Sequence, residues 1–73
     1  MQGTIKTIRA ESSYGFIRTN KADYFFHRSD FDGHWDDLVS DYEKERVIEV
    51  EFEPTRTDKG LRATEVFRLD RGI

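Results

Sequence analysis

The sequence predicts an all-β domain, and three observations carry that expectation. Ile48, Val50 and Phe52 alternate with Glu49, Glu51 and Glu53, the period of a strand with one buried face. Two aromatic runs, Tyr14-Gly15-Phe16-Ile17 and Tyr24-Phe25-Phe26-His27, are parted by a polar break short enough for an antiparallel hairpin. Turn-forming residues, Thr19-Asn20-Lys21-Ala22 and Asp58-Lys59-Gly60, punctuate the apolar runs.

Taken in order, residues 2–10 read as a first strand. Ile5 and Ile8 are out of step with strict alternation, which points to a bend or bulge. Ala10 to Ser13 forms a turn. The second strand runs from Tyr14 to Thr19 and the third from Ala22 to Arg28. Gly15, between two rings, fits either a close approach to the backbone or a bulge. Within residues 29–45, Asp30 to Asp37 is acidic and turn-forming, and Leu38, Val39 and Tyr42 are spaced for a short helical turn. The fourth strand begins at Ile48, and Pro54 is expected to end it. Thr55 to Gly60 is a hairpin loop, and Leu61 to Leu69 is a fifth strand of mixed pattern. Residues 1–70 make one domain, and 71–73 a frayed tail.

Five of the ten aromatic residues lie between Tyr14 and Phe26. Side chains alternate across a strand, so Tyr14 and Phe16 share one face, as do Phe25 and His27. Pairing the two runs gathers these four rings into one patch, with Ile17, Tyr24 and Phe26 filling the core beneath. A chain of 73 residues has one core and buries only one face of such a hairpin. The exposed rings, edged by Lys and Arg, then form a platform on which unpaired bases can stack.

These residues resemble the two ribonucleoprotein motifs of the cold-shock domain family. Tyr14-Gly15-Phe16-Ile17 matches its aromatic-Gly-Phe-Ile run, and Phe25-Phe26-His27 its second motif. Gly3-Thr4-Ile5-Lys6 matches the family's start, and Lys59-Gly60-Leu61-Arg62-Ala63 with Val66 its last strand, while residues 29–48 match poorly. The resemblance implies a five-stranded antiparallel Greek-key OB-fold barrel, here with a long loop or short helical turn between strands 3 and 4. It implies binding of single-stranded RNA or DNA, with a role as RNA chaperone or regulator of gene expression. Tyr14, Phe16, Phe25 and His27 are the implied stacking residues. Trp35 falls near a family loop Phe and is expected to add a fifth platform. Phe31 is expected to plug the barrel.

Lys6, Arg18, Arg28, Lys59 and Arg62 are the candidates for phosphate or base-edge contacts, and Asp23 matches a family Asp bordering the site. Arg62 stands where the family has Gln. Thr7-Ile8 stands where it has Trp-Phe, and Ser12-Ser13 where it has Lys-Gly. Ser40 to Glu45 is longer than the family's turn there.

Charge and composition bound the rest. The net charge is −3, but it is unevenly spread. Residues 1–28 hold five basic and two acidic groups, residues 29–54 two and ten, and residues 55–73 five and three. The aromatic hairpin thus lies in a positive third, and the acidic middle repels a phosphate backbone. There is no Cys, hence no disulfide scaffold or thiolate metal site, and the cytoplasm is the expected compartment. No apolar run reaches membrane-spanning length, and Met1-Gln2-Gly3 does not begin a signal peptide. Two His, no nucleophile elbow and no phosphate-cradling Gly loop leave no basis for an enzyme. Asp30, Asp32, Asp36, Asp37 and His34 lack the ligand spacing of a calcium loop and read as a solvated acidic loop. Neither cofactor nor small-molecule substrate is expected, and the module is expected to be monomeric. The competing function is a protein-interaction module on the same scaffold, since fold does not fix function.

Overall fold

The computed structural model describes residues 1–69. The expected tail, 71–73, lies outside the described residues. Five strands form: β1 (Gln2–Arg9), β2 (Tyr14–Arg18), β3 (Asp23–His27), β4 (Glu49–Thr57) and β5 (Gly60–Arg68). Short 3-10 turns at Ala10–Ser12 and Arg28–Asp30 follow β1 and β3, and one helix, α1 (Trp35–Glu43), precedes β4.

The strands close into a ring in the order β1-β2-β3-β5-β4, consistent with an OB-fold. A ring of five strands cannot alternate direction all the way round. β4 runs antiparallel to β1 and β5 antiparallel to β4, so β5 runs parallel to β3, and the two pair at Phe25 and Arg62. The expectation of a wholly antiparallel sheet is corrected at that one junction.

The core occupies the inside of the ring. Ile17, Phe26, Leu38, Ile48, Val50 and Val66 are fully enclosed. The alternation of Ile48, Val50 and Phe52 with glutamates does what it predicts, with the apolar set buried and Glu49 and Glu53 exposed. β4 does not end at Pro54 as expected but continues to Thr57, with Pro54 opposite Ala63. Among the described residues β1 pairs with β4 over Glu49–Glu51, and Pro54 pairs with β5 alone. A residue without an N–H is tolerated at such an edge.

Both strands with imperfect patterns carry a register break. On β1, Ile5 pairs with Ile17 and Thr7 with Phe16, so Lys6 is the extra residue of a bulge. On β5, Thr64 pairs with Glu53 and Phe67 with Glu51, and Glu65 adopts the left-handed region at φ 51°. That break turns Val66 inward and leaves Phe67 at the surface.

α1 forms where Trp35, Leu38, Val39 and Tyr42 recur at helical spacing, with Asp36 and Asp37 favourably placed in its first turn. Trp35 and Leu38 enter the core, and Asp41 receives Arg68 at 2.8 Å, tying the helix to β5. Phe31 is half-buried, packs on the core and bridges to Val66.

Candidate nucleic-acid interface

Register alone builds the outer face. Thr7, Phe16, Phe25, Arg62 and Thr55 form one row across all five strands. Arg9, Tyr14 and His27 form a parallel row toward one end, and Thr4, Arg18 and Asp23 one toward the other. Residues between these rows point inward: Gly15 faces Phe26 and Ile17 faces Tyr24, all buried.

Tyr14, Phe16 and Phe25 are half-buried and His27 is exposed. The three benzenoid rings form a triangle with centroids 5.3–5.9 Å apart. Tyr14 and Phe25 are tilted by 34°, whereas Phe16 stands edge-on to both. These are favourable ring geometries, so the patch is held in shape by its own contacts.

Gly15 is small because β1 demands it. A Cβ there would lie 2.6 Å from the carbonyl oxygen of Thr7 and 3.0 Å from Ile8 and Phe26. Of the two possibilities at this glycine, close approach is the one observed, and what approaches is the protein's own first strand.

His27 is fixed by the turn that follows it. Its Nδ1 accepts from the Ser29 N–H at 3.1 Å, so the neutral ring carries its proton on Nε2. Its backbone N–H donates to Asp30 Oδ2 at 3.0 Å. The same oxygen accepts from Arg62 Nε at 3.1 Å and lies 3.0 Å from Nη2. Asp30 therefore joins the end of β3 to β5.

The expected basic residues divide into two kinds. Lys6 donates to Asp23 at 2.6 Å and Arg62 to Asp30, so both cations are paired, as is the carboxylate of Asp23. Arg18 and Arg28 are exposed, and among the described residues neither is in a salt bridge. Arg18 adjoins Asp23 in register, and Arg28 opens the turn after His27. Lys59 lies in the β4–β5 turn, where no described contact joins it to the rings.

Trp35 is not the fifth platform expected of it. Only 6% of its surface is exposed, and its ring packs edge-on to Phe26 at 6.0 Å and Phe31 at 6.4 Å. The added length before β4 folds as α1, whose first residue is drawn into the core. Trp35 instead lines an open groove with His27, Arg28 and His34 at the edge of the ring face.

Sequence reasoning missed two residues of this face. Arg9 stands opposite Tyr14, a position that follows from the β1 bulge and not from alternation. Asp30 was read as part of a solvated acidic loop, and nothing in the local sequence links it to Arg62. Among the described residues, no three His, Cys, Asp or Glu side chains are grouped to hold a metal ion.

A ring of five strands with an aromatic outer row flanked by cations is the architecture of a single-strand-binding domain. The family model that matches residues 1–69 is the 'Cold-shock' DNA-binding domain. A curated relative, the major cold shock protein of Micrococcus luteus, is 38% identical over 69 residues, covering 92% of this chain and 96% of that protein. The chain belongs to the cold-shock domain family, whose members bind nucleic acid and are not enzymes. No helix among the described residues is long and apolar enough to cross a membrane.

Proposed function

We propose that this protein binds single-stranded RNA or DNA on the outer face of β1, β2, β3 and β5, within a Greek-key OB barrel. The observation that carries this reading is the ring triangle of Tyr14, Phe16 and Phe25, extended by exposed His27 in the adjoining row. Bases stack on these rings, each contributing roughly 1–3 kcal/mol. Arg18 and Arg28, with Arg9, meet phosphates along the rim. Lys6 and Asp23 act as a pair, steadying one end of the face. Lys59 approaches the strand from the β4–β5 turn. Thr7 supplies no ring at the β1 end, so the platform is narrower there and affinity is modest.

The module works as a monomer in the cytoplasm, as an RNA chaperone or regulator of expression. The protein-interaction alternative is not favoured. The family match runs across the whole described chain, and the ring face on which base stacking depends is present.

Competition between single-stranded and duplex oligonucleotides of equal length tests the proposal. Rings need unstacked bases, so the single strand is expected to displace a labelled oligonucleotide at much lower concentration. Equal displacement by duplex would overturn it.

A further inference from the structure

We propose that Arg62 is a base-edge reader, held in position by Asp30, and that it selects bases presenting two adjacent acceptors on one edge. The proposal rests on the single-strand reading above.

Arg62 stands beside Phe25 in the central row of the face. Neighbouring strands lie about 4.8 Å apart, so the edge of a base stacked on Phe25 reaches the position of Arg62. The guanidinium is not left to wander. Asp30 Oδ2 takes Nε at 3.1 Å and lies 3.0 Å from Nη2, and Asp30 is itself held by the His27 N–H at 3.0 Å. The Asp30 side chain is only 11% exposed, whereas that of Arg62 is 38% exposed. A sheltered carboxylate therefore orients a guanidinium that still reaches solvent.

The donor count then fixes what the outer edge can do. A guanidinium has five N–H donors in a rigid fork. Two are directed at Asp30, and among the described residues the group has no other recorded partner. The edge formed by Nη1 and Nη2 still offers two parallel N–H groups. Two parallel donors match two adjacent acceptors. A phosphate is one such ligand, but this cation is already paired with a carboxylate, which weakens its pull on a second anion. A neutral base edge has no such conflict.

Guanine offers O6 and N7 side by side, whereas adenine sets an amino donor beside N7. In a single strand the Watson–Crick edge is also open, and there cytosine offers O2 beside N3. Thymine separates its two carbonyls with an N–H. The shared chemistry is thus a two-acceptor edge, presented by guanine or cytosine.

The test is titration of the protein with heptathymidine and with heptamers whose central residue is guanine, cytosine, adenine or 7-deazaguanine. Guanine or cytosine is expected to tighten binding about five- to tenfold over heptathymidine, and adenine is not. A gain with guanine that disappears with 7-deazaguanine assigns the O6/N7 edge; a gain with cytosine alone assigns O2/N3. Arg62→Gln removes the fork of two parallel donors. It is expected to abolish the preference for guanine or cytosine over thymine, read as the ratio of affinities within the variant. Asp30→Asn, checked by a thermal melt, is expected to reduce discrimination and steepen the salt dependence. Equal affinity for all centres in the wild type overturns the proposal, as does discrimination that survives Arg62→Gln. Discrimination unchanged in Asp30→Asn removes the positioning role of Asp30. Failure of every oligonucleotide to bind would instead bring down the single-strand reading with it.

Discussion

Asp30 and Arg62, 32 residues apart in sequence, meet at 3.0 Å across the junction where the sheet closes. Because Asp30 also caps the His27 N–H, one carboxylate fastens the Arg28–Asp30 turn to β5. Asp30→Ala removes the cap and strands a guanidinium. The expected loss is about 1–2 kcal/mol, within the range for removing a capping carboxylate. A thermal melt reads this as a clear drop in Tm, roughly 4–8 °C per kcal/mol for a domain of this size. An unchanged Tm would mean that the pair contributes nothing to closure.

The buried aromatics should behave as core. Phe26 is fully enclosed and Trp35 nearly so, with their rings 6.0 Å apart. Phe26→Ala and Trp35→Ala are each expected to cost about 3–5 kcal/mol as cavities. For so small a domain that leaves little folded protein, visible as a loss of cooperative unfolding. Trp35 emission should also be blue-shifted in the free protein and change little on oligonucleotide addition. Strong quenching by a bound base would place the indole on the surface after all.

Gly15 gives a test of the close approach between β1 and β2. A methyl group there meets the Thr7 carbonyl at 2.6 Å, and backbone cannot yield as a flexible side chain can. Gly15→Ala is expected to cost about 1–3 kcal/mol in denaturant titrations. A neutral effect would show that β1 can shift away freely.

Salt dependence separates stacking from charge. Lys6 and Arg62 are paired with carboxylates, so few cations remain to displace counterions. With about −0.7 per phosphate contact on a single strand, the slope of log K against log salt should lie near −2. A slope steeper than about −4 would mean that phosphate contacts dominate.

What could be read from the sequence was whatever depended on local period. The hairpin of β2 and β3, its exposed and buried faces, and the glutamate side of β4 all follow from alternation. The helix α1 was visible as the spacing of Leu38, Val39 and Tyr42, though not its start at Trp35. The end of β4 was misplaced because the cost of Pro54 depends on which side of the strand is paired, a tertiary property. Pattern on β5 was blurred by the break at Glu65, which no residue type announces. The ion pairs of Lys6 with Asp23 and Arg62 with Asp30 join separate strands and turns. Partners set by closure of the ring leave no trace in neighbouring residues, which is why both cations read as free for a ligand.

The central claim is that the rings of β2 and β3 bind bases and do not hold the fold together. Phe25 tests it most directly, lying against both Tyr14 and Phe16 on the outer face and opposite Arg62. The decisive measurement is a calorimetric titration of heptathymidine into wild-type protein and Phe25→Ala, each confirmed folded by its melt. Losing ring contacts should cost the fold only about 0.5–1.5 kcal/mol. Binding should weaken by roughly 1–3 kcal/mol, or about five- to 150-fold. Unchanged affinity in a folded Phe25→Ala protein would contradict the account and move the binding face elsewhere on the sheet.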